Sequence, residues 1–283
     1  MKSAVEDLVV RMDDVSLSYT DSGNEKDHPV IFIHGFPLSK SMWEKQRKAL
    51  WNKYRVITYD MRGYGKSEPG SEEVTIDLLT DDLLHLMDAL KLNKVILCGF
   101  SMGGYIALNA MAKFPERIIG LVLADTQCQP DTEKAKEKRL KTCEAIRQNG
   151  LELFADELLN GLFYSNPEKE NSKEILEVRR VIEGNPTEVV CSSLMAMANR
   201  KDMCTILEQI DVPTLIMVGK QDEVIPLAKS EFMHSKINGA TLHTISDAAH
   251  LSNIDNPIEF NRHLEQFLQQ VKLQRSHLLV TNL

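Results

Sequence analysis

No stretch of the chain reaches the ~20 consecutive apolar residues that a bilayer-spanning helix needs. Its longest apolar runs, such as the one around Val95–Cys98, are a few residues long. Basic residues are not in excess either: 33 Lys and Arg stand against 41 Asp and Glu, for a net charge of −8. Nucleic-acid binders carry a basic footprint, so no nucleic-acid partner and no membrane partner is expected. The acidic balance fits a soluble cytoplasmic protein that keeps away from anionic surfaces. The opening MKSAVEDLVV lacks the basic start and apolar stretch of a signal peptide. Cysteine is scarce and odd in number: Cys98, Cys128, Cys143, Cys191 and Cys204, no two at metal-ligand spacing. The expectation is five reduced thiols in a reducing compartment, and no metal site.

What is present is an ordinary globular composition, 43% apolar and 26% charged over 283 residues. Val15, Leu17 and Tyr19 alternate with polar residues, the period of a half-buried strand in an opening hairpin. From there apolar strands alternate with helices. Strands are expected at 30–34, 54–60, 94–99 and 117–124, and helices at 42–51, 75–90 and 102–113. Unbroken apolar strands suit a parallel sheet covered on both faces, and the alternation predicts an α/β fold. The pattern then changes. Between residues 129 and 210 only helices are predicted, at 134–148, 151–163, 173–183 and 187–199. Gly150, Asn166–Pro167 and Gly184–Pro186 punctuate them. Afterwards the α/β pattern resumes with strands at 214–218 and 240–245 and helices at 227–236 and 257–272. The tail from Leu273 to Leu283 is given no role. This predicts a core of residues 1–128 and 211–283 interrupted by a helical insertion, 129–210.

The chemistry-bearing motif is Gly99-Phe100-Ser101-Met102-Gly103, a G-x-S-x-G match. Such a match is common by chance. Here it follows a buried strand and opens a helix, the setting in which a serine is presented on a strained turn. The helix N-terminus favours negative charge at that point. A serine hydroxyl needs a base to take its proton and a third group to orient the base. Among eight histidines, His250 lies in a loop between a strand and the last helix, on the sheet's carboxyl side. His34 also ends a strand, but it precedes Gly35 and reads as a hydrogen-bonding group of its loop. His85 falls on a helix and His277 in the tail. The acid should lie at a strand's end between serine and histidine in chain order. Asp222 and Asp125 both do, and spacing alone does not separate them; Glu223 beside Asp222 reads as solvent-facing. Two backbone N–H groups should hold a developing oxyanion. Met102, which follows the nucleophile, supplies one, and Phe36 in the HGFP loop the other.

Two further blocks carry less. DMRGYGKS, residues 60–67, lacks the G-x-x-x-x-G-K-[ST] spacing of a phosphate loop, so no nucleotide role is expected of it. Met195 and Met197 read as core of the insertion rather than ligand contacts.

Taken together, HGFPLS, DMRGYGKS, GFSMGG, GKQDEVIP and AAHLSNIDNP resemble the α/β-hydrolase fold superfamily, in its order and along nearly the whole chain. HGFPLS with GFSMGG and HLSNIDNP looks most like the 3-oxoadipate enol-lactonase and carboxylesterase group. The resemblance selects Asp222 as the acid through the GKQDEVIP loop, makes DMRGYGKS a structural loop near the site, and makes the helical insertion a cap over it. It implies an ester or lactone hydrolase with a small-molecule substrate, an acyl-enzyme and no cofactor. Cofactor-free haloperoxidases and carbon–carbon bond hydrolases share much of the signature, and some relatives are ligand receptors. Serine at the nucleophile position disfavours haloalkane dehalogenases and epoxide hydrolases, which use aspartate there.

Overall fold

In the computed structural model, residues 5–12, 14–25, 28–165 and 172–281 are described. The strands are β1 (Val5–Arg11), β2 (Ser16–Ser22), β3 (Pro29–Ile33), β4 (Arg55–Tyr59), β5 (Val95–Phe100), β6 (Ile118–Ala124), β7 (Thr214–Gly219) and β8 (Thr241–Ile245). They form one eight-stranded sheet in the order β1-β2-β4-β3-β5-β6-β7-β8. β1 and β2 make the expected antiparallel hairpin, and β2 runs antiparallel to β4. From β4 to β8 every pairing is parallel.

The sheet separates two cores because side chains alternate along a strand. On β5, Val95 and Leu97 join one apolar cluster, while Ile96, Cys98 and Phe100 join the other. The helices α1 (Glu44–Leu50), α2 (Ile76–Ala89) and α3 (Met102–Lys113) follow the strands as the apolar spacing predicts. α2 and α3 bury Leu79, Leu83, Ile106 and Ala110 in the first cluster. Trp43 and Leu50, around α1, belong to the second. Thr75 caps α2 by accepting the Leu78 N–H at 3.0 Å. Each fully buried leucine of this kind stabilises the fold by about 1.5–3 kcal/mol.

Among the described residues, four α-helices come between β6 and β7: α4 (Glu133–Asn149), α5 (Leu151–Leu162), α6 (Lys173–Glu183) and α7 (Thr187–Ala198). Gly150, at φ +80°, ends α4 and starts α5. The expected break at Asn166–Pro167 lies outside the described residues. α8 (Leu227–Lys236), the short α9 (Ser252–Asp255) and α10 (Pro257–Thr281) complete the chain. α9 is too short for a periodic signal. α10 runs nine residues past its expected end at Lys272, through a segment with no Gly or Pro to stop it.

The cysteine expectation is corrected. Cys128 and Cys204 are joined in a disulfide across 76 residues of chain, and Cys98, Cys143 and Cys191 are free and buried. Cys128 follows the exit from β6 and Cys204 follows the last inserted helix, and the Met203 N–H donates to the Cys128 oxygen at 3.0 Å, so the bridge joins the two ends of the insertion and is a product of tertiary folding rather than spacing. Among the described residues, no helix is long and apolar enough to cross a membrane.

Candidate active site

β5 delivers its last residues into a turn so tight that Ser101 sits at φ 52°, ψ −114°. That left-handed φ is costly for a residue with a Cβ. The flanking glycines make the turn possible. A Cβ on Gly103 would lie 2.3 Å from the Ile33 carbonyl oxygen, and one on Gly99 would lie 2.3 Å from the Gly103 oxygen. Backbone atoms cannot yield at such distances. The Ser101 N–H donates to the Ala124 oxygen at 2.9 Å, and Thr126 Oγ1 donates to the Ser101 oxygen at 2.7 Å. The Ser101 turn is thereby fastened to the chain leaving β6.

The Ser101 hydroxyl lies 3.0 Å from His250 Nε2, and His250 Nδ1 lies 2.8 Å from Asp222 Oδ2. An ionised Asp222 accepts only, so Nδ1 carries the proton and Nε2 is free to accept one from Ser101. The other Asp222 oxygen, Oδ1, accepts the Val224 and Ile225 N–H groups at 2.9 Å each. His250 and Asp222 are buried, while Ser101 keeps partial exposure. Phe100 stands beside the imidazole, ring centroids 5.2 Å apart, with Trp43 behind it. This arrangement can move a proton off a serine hydroxyl in a place largely shielded from water.

The two backbone donors expected from the sequence lie on chain segments that meet at the elbow. Gly35 packs against the elbow, where an added Cβ would meet the Phe100 ring at 2.6 Å and Ser101 Cβ at 3.3 Å. Among the described residues, the N–H groups of Phe36 and Met102 make no hydrogen bond. Met102 opens α3, so its N–H is one of the helix's unpaired N-terminal donors.

The remaining candidates separate cleanly. His34 is fully buried, and burial pulls its pKa down to about 4. It is therefore neutral: Nε2 accepts the Met61 N–H at 3.0 Å and Nδ1 donates to the Gly35 oxygen at 2.9 Å. This is the loop role expected of it. His85 and Glu223 are exposed. Asp125, the rival acid, makes no hydrogen bond to His250; it accepts the Gly219 N–H and holds the Ser252 hydroxyl. In DMRGYGKS, Asp60 accepts the Lys40 and Lys66 N–H groups, and Gly65 at φ +55° leaves no room for a Cβ against that carboxylate. The loop is structural, as expected. Met197 is buried and Met195 packs against the same core.

One group among the described residues has the proximity a metal ion would need. Ligand atoms of Asp125, Asp222 and His250 lie within 4.8 Å of one another. All three residues already spend their polar atoms on the hydrogen bonds above.

Several residues bordering the site had no signal in the sequence. Phe154 of α5 packs against Phe36, ring centroids 6.2 Å apart. Asn185 donates to the Pro37 oxygen at 2.8 Å, and the Leu251 N–H donates to the Leu162 oxygen at 2.8 Å. These contacts tie the inserted helices to the HGFP loop and to the residue after His250. They depend on tertiary docking, which no local pattern encodes.

The fold that holds this site has known counterparts. The family described as alpha/beta hydrolase fold matches residues 28–257. The chain is 30% identical over 257 residues to 3-oxoadipate enol-lactonase 1 of Acinetobacter baylyi, covering 91% of this chain and 94% of that protein. A thermophilic esterase from Thermogutta terrifontis superposes with a TM-score of 0.87 at 32% identity, over 95% of this chain and 99% of that one. An enol-lactonase from Burkholderia xenovorans superposes with a TM-score of 0.86 at 27% identity, over 93% and 100%.

Proposed function

The chain belongs to the alpha/beta hydrolase fold family, and from that membership we propose that it hydrolyses a carboxylic ester or lactone through an acyl-enzyme on Ser101. The observation that carries the reading is the line from Ser101 Oγ to His250 Nε2 at 3.0 Å and from His250 Nδ1 to Asp222 at 2.8 Å. Relatives that are an enol-lactonase and an esterase support the bond type.

In the first half-reaction Ser101 Oγ attacks the substrate carbonyl while His250 Nε2 takes the hydroxyl proton. Asp222 keeps the imidazole in the right tautomer and stabilises the imidazolium. The tetrahedral oxygen collects its negative charge against the N–H groups of Phe36 and Met102. Collapse expels an alkoxide or enolate, which takes the proton from His250. Water then repeats the sequence on the acyl-enzyme and returns Ser101. Every proton and electron pair is supplied by the chain, the ester and water, so no cofactor is required.

The inserted helices α4–α7, residues 129–210, act as a cap on the core of residues 1–128 and 211–283. Support comes from the three contacts of Phe154, Asn185 and Leu162 around the site. The cap shapes the substrate pocket, which is a small-molecule site with no nucleic-acid or membrane partner. A cytoplasmic setting is supported by the acidic composition and opposed by the disulfide, since reducing compartments keep such pairs open. Thiol titration of protein taken directly from cells decides between them: five titratable thiols favour the cytoplasm, three an oxidising compartment.

Ser101→Ala tests the reaction. Hydrolysis of p-nitrophenyl acyl esters and simple lactones should vanish while the circular dichroism spectrum is unchanged. Retained turnover in that variant would remove Ser101 from the mechanism. A wild type that cleaves none of them would favour a ligand receptor.

A further inference from the structure

Asp125 is a fully buried carboxyl that the mechanism above does not use. It follows β6 at φ 47°, in the left-handed region that a residue with a side chain adopts only when its surroundings enforce it. Its Oδ1 accepts the N–H of Gly219 at 2.8 Å, three residues before Asp222. Its Oδ2 is hydrogen-bonded to the hydroxyl of Ser252, two residues after His250. Its own N–H donates to the Met217 oxygen at 2.8 Å, which locks the residue to β7. The residues on either side hold the third group: the Ala124 oxygen accepts from the Ser101 N–H, and Thr126 Oγ1 donates to the Ser101 oxygen. Three consecutive residues thus touch the segments bearing the serine, the histidine and the acid.

We propose that Asp125 is a positioning residue for the reaction: its side chain clamps the loop carrying Asp222 to the turn that follows His250, while its neighbours fix Ser101. The proposal rests on the reading of Ser101, His250 and Asp222 as the reacting groups. It assigns Asp125 no contact with substrate. It explains why a second carboxyl stands behind the acid, with atoms of Asp125, Asp222 and His250 all within 4.8 Å.

Burial pushes the Asp125 carboxyl well above the usual carboxylate range, and the neighbouring charges of Asp222 and Asp255 push it the same way, against the pull of the Ser252 and Gly219 hydrogen bonds. The surroundings therefore favour the neutral acid at Asp125. A neutral carboxylic acid offers one carbonyl oxygen and one O–H, which matches the Gly219 N–H and the Ser252 hydroxyl. An asparagine amide offers the same two functions in nearly the same shape.

The test compares Asp125→Ala, Asp125→Asn and Ser252→Ala in the full chain. The readouts are kcat and KM on p-nitrophenyl acetate, expressed per site titrated with a fluorophosphonate, and the rate of fluorophosphonate labelling. A displacement of the histidine or acid by about 1 Å costs up to ~100-fold in rate. Asp125→Ala should therefore lower kcat and the labelling rate by about 10- to 100-fold, with KM within about threefold. Asp125→Asn should restore kcat to within about threefold of wild type, because it restores both hydrogen bonds. Ser252→Ala, which removes one arm only, should lower kcat by about fivefold. A purely structural residue would lower the titratable fraction and leave kcat per site unchanged, and that result overturns the clamp. Asp125→Asn as impaired as Asp125→Ala also overturns it, since a charge would then be required. If Asp125→Ala does not fold, Ser252→Ala decides alone: an unchanged kcat overturns the proposal. A wild type that is neither labelled nor active overturns the reading of the reacting groups. A labelled wild type with unaffected variants overturns the clamp alone.

Discussion

Helices α3 and α4 are similar in kind and opposite in burial. Ten of the twelve residues of α3 are buried, whereas α4 buries only Cys143 and Ile146 of its seventeen. α3 is gripped by strands on one side and α2 on the other. α4 contacts α5 and α7, both of the same insertion, and its surface carries ion pairs such as Lys141–Glu137 and Arg147–Glu188. The difference separates two jobs. The core must hold reacting atoms in one geometry, so its backbone and packing leave no freedom. On the proposed reading the insertion fits a particular substrate, so its residues are free to vary as long as the helices dock.

The comparison would break most visibly at the acid. Asp222→Asn should cut kcat on p-nitrophenyl esters by about 10³- to 10⁴-fold with the fold retained, because the amide would hold the wrong imidazole tautomer. If Asp222→Asn keeps wild-type activity, the acid role would pass to Asp125.

That ambiguity shows what the sequence could and could not disclose. Ser101 was legible because the elbow is a backbone device, and only glycine fits beside Ile33 and Gly103. Phe36 and Met102 could be named as candidate donors because their places follow from the strand ends. Asp125 and Asp222 end neighbouring strands, β6 and β7, so spacing treats them alike. They differ in where the side chain goes: one reaches His250, the other Gly219 and Ser252. The strands and long helices were legible from period alone, while α9 was too short to signal. The Cys128–Cys204 pairing and the Phe154–Phe36 contact were hidden, because both arise only when the insertion folds back on the core.

A smaller effect sharpens the packing side of the comparison. Leu97 in β5 is fully buried, and Leu97→Ala should cost about 2–5 kcal/mol in a urea melt. Leu153 on α5 is 59% exposed, and Leu153→Ala should stay within about 0.5 kcal/mol. Equal costs would mean that the insertion is as tightly specified as the core.

His34 sets the next step down. Its folded pKa of about 4 lies below the ordinary value of 6.5, so acid loads the unfolded chain with a proton that the folded chain refuses. The contribution is level above pH 6.5 and is lost as pH falls toward 4. Between pH 6.5 and 5 the loss should be about 2 kcal/mol. Urea midpoints at both pH values measure it, and His34→Gln should flatten the difference. An unflattened slope would place the sensitivity elsewhere.

The smallest effect belongs to the insertion's surface. Arg147 and Glu188 form a close ion pair between α4 and α7 but are both exposed. Such pairs contribute little, so Arg147→Ala should leave the melting midpoint unchanged by calorimetry. A clear drop would show that the insertion leans on its charges more than its sparse burial suggests.

The bridge between Cys128 and Cys204 makes the insertion a closed ring, since the 76 residues it spans include all four inserted helices. A protease that cuts once anywhere inside that ring cannot separate the chain into two molecules. The nicked protein would run as one band on a non-reducing gel and as two after dithiothreitol. Its two halves of sheet, β1–β6 and β7–β8, would stay tethered through sulfur at the point where β6 gives way to the insertion.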